Sequence, residues 1–123
     1  MTGREVADKL VEFCRSGETD KGLVTLYAED AVSVEAVQGP GAERRETKGR
    51  DAIKGKHDWW YSAMEEHDST VDGPYMHGDD RFAVIFEMDV TDRASGERTQ
   101  MKEVGVYTVV DGKIVREEFF YTM

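Results

Sequence analysis

The feature that most constrains the fold is a run of three long strand-like segments at the C-terminal end of the chain. Residues 81–93 and 98–110 are expected to form a hairpin. Asp111-Gly112 follows, a strong signal for a two-residue hairpin turn, and leads into a last strand over residues 113–122. An extended segment before them is expected to be interrupted at Gly73-Pro74. The pattern predicts an antiparallel sheet of long strands.

The N-terminal half contains three segments with helical spacing. Thr2 and Glu5 form a capping box, which predicts a first helix over residues 4–16. A short second helix precedes a strand expected over residues 31–37, and a third helix is expected over residues 50–66. Helices followed by long strands predict an α+β fold, in which a strongly curved antiparallel or mixed sheet wraps around three N-terminal helices. We expect a single domain over residues 1–123 with a cavity between the two layers.

The charge of the chain excludes several kinds of partner. The sequence has 16 Lys+Arg against 26 Asp+Glu, a formal net charge of -10. Phosphate backbones and anionic lipid surfaces would be repelled, so we expect neither nucleic acid nor a membrane as partner. No apolar run approaches the ~20 residues that span a bilayer, and the N-terminus lacks an apolar leader, which predicts a soluble, cytoplasmic protein.

The cysteine and histidine content argues against a metal site. Cys14 is the only cysteine, so we expect a buried structural thiol and no disulfide. Three histidines without tight spacing do not predict a metal centre. We expect no cofactor.

Four segments of this sequence resemble those of one known superfamily. The segments are Leu26-Tyr27-Ala28-Glu29-Asp30-Ala31-Val32, Gly49-Arg50-Asp51-Ala52-Ile53, Arg81-Phe82-Ala83-Val84 and Asp111-Gly112-Lys113-Ile114-Val115-Arg116-Glu117-Glu118-Phe119-Phe120-Tyr121. With them the chain resembles the nuclear transport factor 2-like superfamily, and within it the SnoaL-like proteins, whose relatives include polyketide cyclases and ketosteroid isomerases. The resemblance implies a cone-shaped, cystatin-like fold around one small-molecule pocket.

The comparison with the isomerases implies two catalytic carboxylates. Glu35 stands eight residues after Tyr27, where the resemblance implies the carboxylate that shuttles a proton. Glu103, four residues before Tyr107, resembles the acid that helps to hold the oxyanion. The isomerases' tyrosine on the first helix would fall close to Val11, so the oxyanion site implied by the resemblance is incomplete.

Physical chemistry gives these carboxylates two interpretations. In an apolar cavity the pKa of a carboxyl rises, and two facing carboxyls titrate apart, so one can act as a base while the other donates a hydrogen bond. Alternatively, either carboxylate points to solvent or pairs with a basic residue such as Lys102 or Arg116. His57, in the apolar stripe of the third helix, is a candidate general base or a satisfied core residue.

Aromatic and polar side chains on the predicted inward faces form a candidate binding wall. Alternation places Glu103 and Tyr107 on one face of their strand. Because the opposite faces are also partly apolar, we expect a homodimer that packs sheet against sheet. The candidate substrate-binding residues are Tyr27, Trp60, Tyr107, Glu117, Phe119 and Tyr121.

Three functions remain open from the sequence. The first is a cofactor-independent isomerase or cyclase acting on a hydrophobic ring-bearing carbonyl compound, with Glu35 as base and Glu103 or His57 polarising the oxygen. The second is a non-catalytic module that binds a small hydrophobic or aromatic ligand. The third is a structural homodimer whose cone is filled by its own side chains.

Overall fold

A computed structural model describes residues 1–37 and 44–121. The helices are α1 (Gly3–Ser16), α2 (Thr19–Leu26) and α3 (Arg50–Ala63). The strands are β1 (Tyr27–Val34), β2 (Glu46–Lys48), β3 (Met64–His77), β4 (Arg81–Asp92), β5 (Arg98–Val110) and β6 (Lys113–Phe120).

Within the described residues, the strands form one mixed six-stranded sheet in the order β2-β1-β6-β5-β4-β3. β1 and β6 pair in parallel, and the other neighbours pair antiparallel. The parallel pair joins the strand that follows the second helix to the last strand of the chain, so residues far apart in sequence become neighbours. This arrangement confirms the α+β expectation of three helices and a mixed sheet.

The first helix is fixed by signals close to its two ends. The Thr2 hydroxyl accepts from the backbone N–H of Glu5, and the Glu5 carboxylate accepts from the backbone N–H of Thr2. Gly17 ends the helix in a left-handed conformation with φ of 75°, which glycine adopts without a Cβ penalty. The inward face of α1 therefore has a defined position over the sheet.

The hydrophobic core lies between the helices and the inner face of the sheet. Phe82 of β4 and Tyr107 of β5 are paired across the two strands and belong to it. Residues of all three helices complete the cluster, among them Val6, Leu10, Leu23, Leu26 and Ile53. In the part of the chain that the structure describes, no helix is long and apolar enough to cross a membrane.

Several predicted boundaries were wrong because long-range pairing decides them. The third helix ends at Ala63, not near residue 66, since Met64 pairs with Asp92 in the sheet. The first strand begins at Tyr27 and ends at Val34. The expected interruption at Gly73-Pro74 agrees with the structure: the pairing of β3 with β4 shifts register there, and the strand continues beyond it. Residues 122 and 123 lie outside the described part.

Candidate functional site

A buried carboxylate on β6 lies at the centre of a hydrogen-bond network. Glu117 is only 3% exposed. The Tyr27 hydroxyl donates to one of its oxygens, and Ser33 Oγ donates to the other at 2.6 Å. The parallel register sets Ser33 beside Glu117, while Tyr27 stands where α2 passes into β1. Burial first, and then the Glu117 charge, raises the pKa of Tyr27 well above its ordinary value, so this hydroxyl stays a donor.

A lysine from α3 connects this buried group to Glu35. Lys56 Nζ donates to Ser33 Oγ at 2.8 Å and forms an ion pair with the Glu35 carboxylate. Its side chain is 26% exposed, and its Nζ lies 5.8 Å from the centroid of the Phe119 ring. The half-buried position makes this ion pair less screened than one at the surface. Lys56 therefore holds Glu35 and Ser33 in one arrangement.

Glu35 lies just beyond the end of β1 and has a second partner. The Tyr121 hydroxyl donates to its other oxygen at 3.0 Å. Burial, with the Glu35 charge as the next cause, raises the pKa of Tyr121 to about 12. Glu35 is thus oriented by one ammonium and one neutral hydroxyl.

Glu103 on β5 is the carboxyl with the strongest perturbation. Burial, followed by the charges of Glu35 and Glu117, raises its pKa to about 7, while the Lys56 ammonium opposes them. Among the described residues, none donates a hydrogen bond to it. A carboxyl that titrates near neutrality and has a free oxygen can act as a hydrogen-bond donor to a ligand.

We call these groups the carboxylate cluster. Three of its members are carboxyls and one is an ammonium, so full ionisation would leave excess negative charge in a largely buried space. Retention of one proton by Glu103 relieves this repulsion. The members of the cluster are Tyr27, Ser33, Glu35, Lys56, Glu103, Glu117 and Tyr121.

Aromatic rings line the space beside the cluster. Tyr107 stacks on Phe82 with ring centroids 4.9 Å apart, and meets Phe119 edge to face at 6.4 Å. These contacts fix the ring positions and provide an apolar wall next to the carboxyls. An open cleft of about 420 Å³ lies at the C-terminal end of β6, lined by Ala36, Arg45, Glu118, Phe119, Phe120 and Tyr121.

The structure separates His57 from the other candidates. His57 Nδ1 lies 3.0 Å from Asp20 Oδ1, an interaction between α3 and α2. This contact agrees with a satisfied histidine better than with a general base directed at the cluster. Trp60 is half-buried on α3, whereas Trp59 is 63% exposed. Tyr27, Glu117 and Tyr121 are hydrogen-bonded within the cluster, and Tyr107 and Phe119 belong to the aromatic wall.

Sequence reasoning missed Lys56, and it named the wrong basic partners. Lys102 and Arg116 contact Glu87 and Glu118, not the two candidate carboxylates. One signal could have pointed to Lys56: it stands three residues after Ile53, which is fully buried, and so lies on nearly the same face of α3.

Cys14 and the histidines provide no further chemistry at this site. Burial raises the pKa of the Cys14 thiol to about 12, with Glu117 as a second cause, which disfavours the reactive thiolate. Within residues 1–37 and 44–121, no group of three or more His, Cys, Asp or Glu side chains is placed to hold a metal ion. Acid-base chemistry is what the residues of the cluster can perform.

Comparisons with known proteins identify the family. A candidate SnoaL-like polyketide cyclase from Mesorhizobium loti is 40% identical, with 98% of this chain and 100% of that chain covered and a TM-score of 0.91. A candidate isomerase from Bacillus subtilis is 18% identical, covering 99% and 90% of the two chains, with a TM-score of 0.80. A Mycobacterium tuberculosis protein in complex with estradiol-17beta-hemisuccinate is 17% identical, covering 100% and 96%, with a TM-score of 0.75.

No curated protein matches this sequence. The family model described as the SnoaL-like domain matches residues 1–121, nearly the whole chain. The chain therefore belongs to the SnoaL-like domain family.

Proposed function

We propose that the protein is a cofactor-independent isomerase or cyclase acting on a small, hydrophobic, ring-bearing carbonyl compound. In this reaction Glu35 is the base and Glu103 is the donor to the carbonyl oxygen. The observation that carries the proposal is the placement of Glu103 near Glu35 with a pKa of about 7. A pair of carboxyls whose environments differ in this way is suited to divide the roles of base and acid.

The proposed reaction begins with enolisation. A Glu35 oxygen takes a proton from the carbon next to the carbonyl, and the C–H electrons move into a carbon–carbon double bond. The carbonyl π electrons move to oxygen, and the resulting enolate accepts a hydrogen bond from the protonated Glu103 carboxyl. Glu35 then returns its proton to another carbon, which completes an isomerisation. Alternatively, the enolate carbon attacks a second carbonyl of the same molecule, which closes a ring and re-forms the first carbonyl, and the new alkoxide oxygen takes the proton from Glu35.

The surroundings of the cluster support a flat ligand. Tyr107 and Phe119 offer ring faces and edges next to the carboxyls, and aromatic walls with few polar groups are typical of small-molecule sites. The M. tuberculosis relative, in its complex with estradiol-17beta-hemisuccinate, has the same fold. We propose the same general class of ligand, hydrophobic and ring-bearing, for this chain.

A second candidate function is non-catalytic binding of such a ligand. It is favoured by the contacts of Glu35, whose two oxygens are already engaged by Lys56 and Tyr121. A carboxylate held in this way must weaken its ion pair before it takes a proton from carbon. Exchange of the α protons of a bound ligand therefore distinguishes the two functions: the enzyme exchanges them and the binding module does not.

The test is α-proton exchange of 2-acetylnaphthalene, a flat ring-bearing ketone, in deuterated buffer followed by NMR. We expect the wild-type protein to accelerate deuterium uptake at the methyl group. Glu35→Gln should lower the protein-catalysed rate by about a hundredfold or more, as for loss of a general base, with ligand affinity within a few-fold. Glu12→Gln, at an exposed position of α1, is the matched control.

Two outcomes would contradict the catalytic role of Glu35. The first is an unchanged exchange rate in Glu35→Gln. The second is a loss of affinity as large as the loss of rate, because Glu35 would then only bind. Tight binding by the wild-type protein without exchange would support the binding module.

We also propose that the chain forms a homodimer through the outer face of the sheet. Phe120 is 51% exposed there and is paired with Val104 across β5 and β6. Sedimentation velocity should give twice the chain mass for the wild type and a shift toward monomer for Phe120→Ser. A wild-type monomer would overturn this assembly. The cytoplasmic location remains a prediction from the sequence.

A further inference from the structure

The Tyr107 hydroxyl has no assigned partner in the site described above. The residue is 2% exposed, yet no described residue forms a hydrogen bond with its hydroxyl. Within the described part of the chain, no fully buried polar side-chain atom lacks a partner. The Tyr107 oxygen is therefore not fully buried, although the side chain as a whole is enclosed.

Gly105 determines where this hydroxyl lies. A Cβ atom added at Gly105 would stand 2.9 Å from Tyr107 Cε2 and 3.0 Å from the Tyr107 hydroxyl oxygen. The ring thus lies back along β5 over Gly105, toward Glu103, which shares this face of the strand. A side chain at position 105 would collide with the ring, so the glycine permits the conformation.

Neighbouring rings and charges hold the hydroxyl as a neutral donor. Phe82 stacks on one face of the Tyr107 ring, and Phe119 contacts it edge to face. Burial raises the pKa of Tyr107 well above its ordinary value, with Glu117, Cys14 and Glu103 as further causes. A fixed O–H that lacks an acceptor among the described residues, on the same strand face as Glu103, is a group that a ligand oxygen would satisfy.

We propose that the Tyr107 hydroxyl is a second hydrogen-bond donor to the ligand oxygen, alongside the Glu103 carboxyl, and that Gly105 is required because it admits the Tyr107 ring. This inference rests on the proposed function and assigns its ligand a carbonyl oxygen that accepts two hydrogen bonds. In the enolisation step the hydrogen bonds from both donors shorten as negative charge develops on the ligand oxygen. The proton of the Tyr107 hydroxyl stays on Tyr107.

The experiment compares two ligands that differ at the oxygen. Affinities of the wild-type protein are measured for 2-acetylnaphthalene and for 2-ethylnaphthalene, which lacks the acceptor. Tyr107→Phe should reduce the preference for the ketone about fivefold, as for loss of one neutral hydrogen bond. It should leave the affinity for 2-ethylnaphthalene unchanged. Tyr75→Phe, at an exposed tyrosine of β3 bonded to Asp72, is the matched control.

Two further measurements address folding and geometry. Because the hydroxyl has no protein partner, Tyr107→Phe should unfold at the same temperature as wild type or higher. Gly105→Ala should also lose the preference for the ketone, since its methyl group displaces the ring. The infrared carbonyl stretch of carbonyl-labelled 2-acetylnaphthalene should lie at lower frequency when bound to wild type than when bound to Tyr107→Phe.

The outcomes separate this inference from the proposed function. If Tyr107→Phe keeps the full preference and the same carbonyl frequency, while wild type still exchanges the α protons, the second donor is wrong and the proposed function stands. A retained preference in Gly105→Ala overturns the role of the glycine. If wild type shows no preference for the ketone over 2-ethylnaphthalene, both proposals fail.

Discussion

Replacing Glu103 by glutamine should stabilise the protein in alkaline solution. The folded chain raises the pKa of Glu103 from 4.5 to about 7, so it holds this proton more tightly than the unfolded chain does. The contribution of Glu103 to the free energy of unfolding is therefore greatest at low pH and falls as the pH rises from about 4.5 to about 7. Glutamine is neutral throughout and does not show this fall.

The size of the effect follows from the difference between the two pKa values. The difference between about 7 and 4.5 is about 2.5, and at about 1.4 kcal/mol for each pKa unit it amounts to about 3.5 kcal/mol. Glu103→Gln should gain this amount over wild type when the pH rises from well below 4.5 to well above 7. Any difference in packing between the two side chains adds a term that is independent of pH.

Urea denaturation followed by tryptophan fluorescence measures this difference. Between about pH 5.5 and about pH 8.5, the free energy of unfolding of Glu103→Gln relative to wild type should increase by about 2 kcal/mol. Glu12→Gln, at an exposed site, should show no comparable increase. A difference for Glu103→Gln that does not change with pH, or that decreases, would refute the reasoning that folding raises the pKa of Glu103.

Three other changes test the packing and the charges around the site. Tyr27→Phe removes one donor from the buried Glu117 carboxylate. It should lower the free energy of unfolding, measured by urea denaturation, by about 1–3 kcal/mol. A change below about 0.5 kcal/mol would contradict this. Lys56→Met removes the cation that lowers the pKa of Glu103, so carboxyl NMR should show that pKa above about 7, and a fall would contradict the assignment. Ile53→Ala empties a fully buried position of α3 and should cost about 2–5 kcal/mol in thermal or urea unfolding, and a cost below about 1 kcal/mol would disprove tight packing there.

Local signals explain which parts of the fold could be predicted from the sequence. The strand 98–110 and the hairpin at Asp111-Gly112 agree with the structure, because turn residues with a left-handed preference mark them locally. The end of α3 could not be predicted in the same way. The helix ends before Met64 because Met64 pairs with Asp92, 28 residues later. No residue near Met64 in the sequence indicates that pairing.

In the candidate site, too, features set by local sequence pattern were predictable and features set by contacts between elements were not. Strand alternation predicted that Glu103 and Tyr107 share a face, and the cross-strand register agrees with it. The contact between Lys56 and Ser33 was not predictable in this way, since it depends on how α3 is rotated against β1. The position of the Tyr107 hydroxyl was also not predictable from the sequence, because it depends on the space that Gly105 leaves for the ring.

The most direct test of the central claim is a crystal structure of the protein with 2-acetylnaphthalene. The account predicts the ketone oxygen within hydrogen-bonding distance, about 3 Å, of both the Glu103 carboxyl and the Tyr107 hydroxyl. It also predicts the methyl carbon next to a Glu35 oxygen and the rings against Phe119. A ligand whose oxygen faces solvent or whose methyl group lies away from Glu35 would contradict it.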